Sequence, residues 1–177
     1  MIFVSEPKTD SPVYYKNELQ FLVYKSLHEL GIPYQRVETD EVIKMEDCIS
    51  INEKLDMKMV KTLFLCTRHQ QELFLFITAG DKRFDSKAFS SALGNSRVSF
   101  APEEAMHEIL GTNIGAATVF STLLESAHTV QLVFDRDVLK EEYYGCSDGT
   151  TTGYMKIKTS NITECFLPFT GHDYKVL

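Results

Sequence analysis

At 177 residues the chain is long enough for one domain to bury a sizeable core without disulfides or structural metal. Its 44% apolar content, with 12 Phe and 8 Tyr, is that of an ordinary globular protein and leaves no low-complexity run. The formal net charge of −7 speaks against non-specific nucleic-acid binding, where basic domains are the rule.

No segment approaches the apolar length needed to span a bilayer, and Met1-Ile2-Phe3-Val4-Ser5-Glu6 lacks a basic stretch followed by an apolar one, so the expected compartment is the cytoplasm. Cys48, Cys66, Cys146 and Cys165 are scattered without a CxxC pair, which argues against a zinc site or a disulfide framework. They are expected as reduced thiols in or near the core. Charge is uneven along the chain. From Lys54 to Arg97 eight basic residues face four acids, whereas Glu103 to Asp148 holds nine acids and two bases. If the first set converges, an acidic protein still owns one face that could meet phosphates; otherwise the charges are scattered over solvated faces.

In chain order, residues 1–11 read as an arm with little structure of its own. Ser11-Pro12 offers an N-cap with proline at the first helical position, and Leu19, Leu22, Val23, Leu27 and Leu30 repeat at helical spacing up to Gly31. Ile32 to Val37 reads as a short strand. Glu46 to Leu55 reads as a second helix with Ile49 and Leu55 inward. Lys61 to Arg68 and Glu72 to Ala79 are two apolar, aromatic-rich runs around the polar break His69-Gln70-Gln71, the signature of a β-hairpin. The second run is almost continuously apolar and is expected to be the central, doubly buried strand. After the turn at Gly80 to Arg83, Asp85 or Ser86 caps a helix running to Leu93 and stopped at Gly94.

Val98 to Phe100 reads as a strand, and Ala101-Pro102-Glu103-Glu104 opens a helix with proline in the first turn and two carboxylates at the positive end of the dipole. Past Leu110, the stretch Gly111 to Thr118 is rich in small residues, so backbone there could approach a ligand closely. Val130 to Asp135 is a strand, with a helical turn at Val138 and Leu139. Tyr143 to Cys146 and Tyr154 to Lys158 pair across the Ser147 to Gly153 loop. Asn161 to Phe169 forms a last helix and Asp173 to Leu177 a closing strand. The fold class is α/β in the α+β sense: a mixed, partly antiparallel sheet core surrounded by helices.

The five histidines offer no metal spacing, and none is assigned a role. There is no G-x-S-x-G elbow, Walker loop or dinucleotide fingerprint. Two features remain. Lys61 stands at the mouth of the hairpin's first strand, where most lysines are merely solvated. The Gly111 to Thr118 loop offers free backbone N–H groups. Together they could hold a phosphate or an ester carbonyl, with water as nucleophile and the loop amides as an oxyanion hole.

Lys61-Thr62-Leu63-Phe64-Leu65, Gly80-Asp81-Lys82-Arg83-Phe84, Arg97 to Glu104, the Gly111 to Thr118 loop and Gly171 to Val176 together resemble the YbaK/prolyl-tRNA-synthetase-associated domain family, in the branch of freestanding prolyl-tRNA editing proteins (PrdX/ProX type). The resemblance covers most of the chain, so 1–177 is expected as a single editing domain. It implies a cytoplasmic trans-editing hydrolase that removes a wrong amino acid, typically alanine and in some branches cysteine, from tRNA for proline. It implies no cofactor and no metal. The partner implied is the 3′ end of an aminoacylated tRNA, without a membrane, and the protein is expected as a monomer or weak homodimer.

The family's essential lysine matches Lys61, the catalytic candidate. Its Gly-Xaa-Xaa-Pro-Gly loop, which frames the aminoacyl group, matches Gly111, Ile114, Gly115, Ala116, Ala117 and Thr118; Thr62 and Ser147 complete the substrate-binding candidates. The chain departs from the pattern at three places. Thr62 replaces asparagine, Ile114 replaces the loop proline, and Ser147 to Thr152 replaces a His-Pro-small-Xaa-Asn-Thr motif. These departures leave open a non-catalytic binder of aminoacyl-tRNA or of a small amino-acid ligand. A plain interaction module would require the resemblance to carry no information.

Overall fold

The computed structural model describes residues 1–94 and 97–177. In chain order its elements are α1 (Glu18–Leu30), β1 (Gln35–Glu38), α2 (Cys48–Leu55), β2 (Val60–Cys66), β3 (Leu73–Ala79), α3 (Ser86–Leu93), β4 (Ser99–Phe100), α4 (Glu103–Ala105), β5 (Gln131–Phe134), α5 (Arg136–Lys140), β6 (Tyr143–Ser147), β7 (Gly153–Lys158), α6 (Thr159–Asn161), α7 (Leu167–Thr170) and β8 (Tyr174–Val176). Wider π turns extend α4 through Met106–Leu110 and join α6 to α7 through Ile162–Phe166.

Two sheets result. One is antiparallel, in the order β1-β7-β6; the other is mixed, in the order β4-β2-β3-β5-β8. The hairpin forms as its pattern demands, with Lys61 opposite Thr78 and Cys66 opposite Leu73. Strand β3 is central, and Phe74 to Thr78 are all buried. It pairs antiparallel with β2 and parallel with β5, which itself takes the C-terminal β8 as a parallel neighbour. The faces of β2 and β3 alternate as a pleat requires. Phe64, Leu75 and Ile77 enter the main core with α1 and β7, whereas Leu65, Phe74 and Phe76 pack against α3 through Phe89.

Several expected boundaries shift. Helix α1 begins at Glu18, not near Pro12, because the Asn17 side chain accepts from the Gln20 N–H and so supplies the cap that Ser11 does not. Its end at Gly31, left-handed at φ 65°, is as expected. On α2, Leu55 is inward but Ile49 is exposed; Cys48 and Ile51 share the buried face instead, since a stripe of three and four spacings runs through 48, 51 and 55. Strand β1 starts three residues later than Ile32. The amino-terminal arm is tied down, with Val4 and Lys8 bridging Thr39 and Arg36. Cys48, Cys66 and Cys146 are buried, but Cys165 is exposed. Asp85 caps α3 through the N–H groups of Lys87 and Ala88, and Pro102 is the N-cap of α4. No described helix is long and apolar enough to cross a membrane.

Candidate functional site

A cavity of about 380 Å³ opens between β2 and the small sheet. Lys61, Thr62, Phe64, Ile114, Gly115, Ala117 and Ser147 line it, with Val42, Cys48, Met59, Phe100, Cys146 and Tyr154 among the other walls. Six of the nine site residues read from the sequence thus share one hollow, within the volume range of small-molecule sites. Lys61 is half-buried at its rim, and its ammonium donates to the Lys82 carbonyl. That bond uses one of the three N–H groups and leaves two for a ligand.

The remaining three do not reach the cavity wall. Gly111 takes φ 66° to end the helix, and a Cβ there would collide with Leu124. Ala116 is buried. Thr118 is fully buried, and its hydroxyl donates to the Ser147 carbonyl at 2.8 Å. It braces the loop against β6. Gly115, at φ 86°, presents exposed backbone, a conformation that a side-chain-bearing residue would strain.

The Ser147 to Thr152 segment, polar in sequence, is built around a carboxylate. Asp148 is fully buried; it accepts from the Tyr24 hydroxyl at 2.8 Å, the Gln20 amide at 2.9 Å and the Thr150 hydroxyl at 2.7 Å. Asn17 adds a bond from its amide to the Gly149 carbonyl at 3.0 Å. Residues 17, 20 and 24 lie on one face of the helix, so the first two turns of α1 hold this loop as a unit. Burial, and then the Asp148 charge, push the Tyr24 phenol far above its usual range. A Cβ on Gly153 would overlap the Asp148 carboxylate, which is why glycine opens β7. Sequence reading missed Gln20, Tyr24 and Asp148. The available signal was a glutamine and a tyrosine on the inward stripe of an amphipathic helix.

The cavity is poor in titratable nucleophiles. Burial raises the Cys146 thiol well above its ordinary value and the Cys48 thiol to about 11, so both are protonated at neutral pH and neither is a nucleophile there. Burial likewise raises the Tyr144 phenol; the Thr62 side chain beside it acts in the opposite direction, though the hydroxyl completes no hydrogen bond among the described residues. No group of three His, Cys, Asp or Glu side chains stands close enough to hold a metal among the described residues. What the hollow offers is the ammonium groups of Lys61 and Lys44, the Glu103 carboxylate, open backbone and an apolar floor.

Residues 39–165 match the aminoacyl-tRNA editing domain family. The chain belongs to that family. Editing removes an amino acid from tRNA, so this editing domain is a carboxylic ester hydrolase acting on aminoacyl-tRNA. Among curated proteins the editing domain is similar to the prolyl-tRNA editing protein ProX of Acetoanaerobium sticklandii, with 30% identity over 121 residues that cover 66% of this chain and 71% of that protein. Among solved structures it resembles the hypothetical protein APE2540, at TM-score 0.68 and 17% identity over 87% of this chain and 95% of that one. It also resembles a protein provisionally named a trans-editing enzyme for prolyl-tRNA synthetase, at TM-score 0.65 and 16% identity over 92% and 97% of the two chains. At such identities these last two likenesses concern the fold.

Proposed function

We propose that this editing domain hydrolyses mischarged tRNA for proline in trans, with alanine as the amino acid removed, in the cytoplasm and as a monomer or weak homodimer. The observation that carries this reading is the convergence of Lys61 and the exposed Gly115 backbone on one hollow in a chain of this family. The name of the ProX relative supports proline tRNA. Lys61 orients the 3′-terminal nucleotide through its free ammonium hydrogens, and the backbone about Gly115 faces the acyl group. A water oxygen bonds to the acyl carbon, the bond from that carbon to the ribose oxygen breaks, and the ribose oxygen takes up a proton. Free amino acid and uncharged tRNA leave. The substrate's own vicinal ribose hydroxyl stands next to the ester and can relay that proton.

The altered Ser147 to Thr152 segment favours a second reading, a binder that does not turn over. Purified protein incubated with alanyl-, cysteinyl- and prolyl-tRNA for proline separates the two. The expected result is selective loss of alanine, reduced by about 10²–10³-fold in Lys61→Ala, the scale seen when one preorganised electrostatic contact is removed. No acyl loss above the blank, with tRNA still bound, selects the binder.

A further inference from the structure

Strand β2 is paired along its whole length with β3 but only near its ends on the opposite edge. The Ala101 N–H donates to the Phe64 carbonyl at 2.9 Å, which sets the amide groups of Phe64 toward β4. The Asp135 N–H donates to the Ile77 carbonyl at 2.8 Å, which sets Ile77, the register partner of Thr62, toward β5. Alternation along an antiparallel pair then turns the N–H and C=O of Thr62 away from β3, onto the edge shared with Phe64. Strand β4 covers that edge only at Leu65 and Cys66, and β6 reaches it only through the bridge from Gly145 to Met59. Between them the Thr62 main chain has no partner among the described residues. It lies in the cavity wall, with Phe100 and Ala101 on one side and Cys146 and Ser147 on the other.

We propose that this gap is the reader of the aminoacyl group. The Thr62 carbonyl accepts from the substrate's α-ammonium, and the Thr62 N–H donates to the ester carbonyl oxygen. An esterified amino acid carries this donor and this acceptor across one Cα, as a strand residue does, so it completes the missing rung of the ladder. The N–H then also stabilises the negative charge that develops on that oxygen. Because main chain does the reading, threonine serves here as well as any residue other than proline, which lacks the N–H. N-acylated amino acids, which lack the ammonium, are refused. This rests on the editing reading for the identity of the ligand.

The test replaces Thr62 with its α-hydroxy analogue, converting the amide to an ester and deleting an N–H that no protein group uses. The probe is 3′-alanylamido-3′-deoxyadenosine, a stable mimic, beside its N-acetyl form. The substituted protein is expected to keep a near-native unfolding midpoint, bind the mimic about tenfold more weakly and hydrolyse alanyl-tRNA about 10²-fold more slowly. The N-acetyl form is expected not to bind the native protein. Unchanged affinity after the substitution, binding of the N-acetyl form as tight as the mimic, or no binding of the mimic to native protein each overturns the proposal. Loss of mimic affinity on substitution, in a protein that deacylates nothing, would sink the editing reading and leave the gap standing.

Discussion

Asp148 shows how one residue organises a loop. Its carboxylate has no cationic partner within ion-pair distance among the described residues and is satisfied by neutral donors instead, from Gln20, Tyr24 and Thr150. Removing it strands several buried donors at once, each costing about 1–3 kcal/mol, and the costs do not add because the donors share one site. Asp148→Ala is therefore expected to lose at least about 2 kcal/mol of stability in urea unfolding. Asp148→Asn, which keeps the shape and an acceptor, is expected to lose less. Equal losses in the two variants would show that the loop does not depend on these bonds. Activity should fall with the loop, because Ser147 lines the cavity and Thr118 is bonded to its carbonyl.

A chain of contacts at the level of elements links the far end of β5 to the catalytic candidate. Asp135 caps α5 and accepts from Thr78 on β3 at 2.7 Å and from the Lys82 ammonium at 2.8 Å. The carbonyl of the same Lys82 receives Lys61. Burial opposes the charge on Asp135, but the bonds from Lys82, the Asp137 N–H and Thr78 outweigh it and hold the carboxyl below its ordinary 3.8. A depressed carboxyl contributes stability above its unfolded value, and that contribution is lost as pH falls through the lower folded one. Asp135→Asn should thus be less stable than the native chain at pH 7, with the gap closing below about pH 4; a gap that persists unchanged at pH 2–3 would exclude this source. Bonds to Asp135 and Asp137 hold the Lys82 ammonium above its usual 10.5, so its share persists at neutral pH and fades only in strong alkali.

For the whole molecule the question is where an acidic protein meets an anion. Of the basic residues between 54 and 97, Lys54, Lys58 and Lys82 are paired with acids. Arg83 and Lys87 have no acidic partner within 4.0 Å among the described residues, and the ring of Phe84, between them in sequence, meets Phe100, an exposed ring at the cavity mouth, at 5.7 Å and a tilt of 57°. A single-stranded 3′ end uses such a combination of aromatic face and cation. The double variant Arg83→Glu/Lys87→Glu is expected to raise KM for charged tRNA about tenfold at low salt, leave kcat within about twofold, and flatten the salt dependence of binding. An unchanged KM would place the tRNA elsewhere.

The hairpin, the central burial of β3, the caps of α3 and the end of α1 at Gly31 were legible in the sequence, because periodicity and glycine conformation are local properties of the chain. The family resemblance, with the small residues of the Gly111 to Thr118 loop, pointed to six of the residues in the cavity wall, but not to others such as Met59, Phe100 and Tyr154. What was not legible is which members of the Gly111 to Thr118 loop face a ligand and which brace β6, since backbone turns at Gly111 and Gly115 decide that. Nor could spacing show that Gln20 and Tyr24 meet Asp148 across more than a hundred residues, or that β4 and β6 stop short of Thr62. Those are facts of pairing between distant segments, and only the packed fold brings them about.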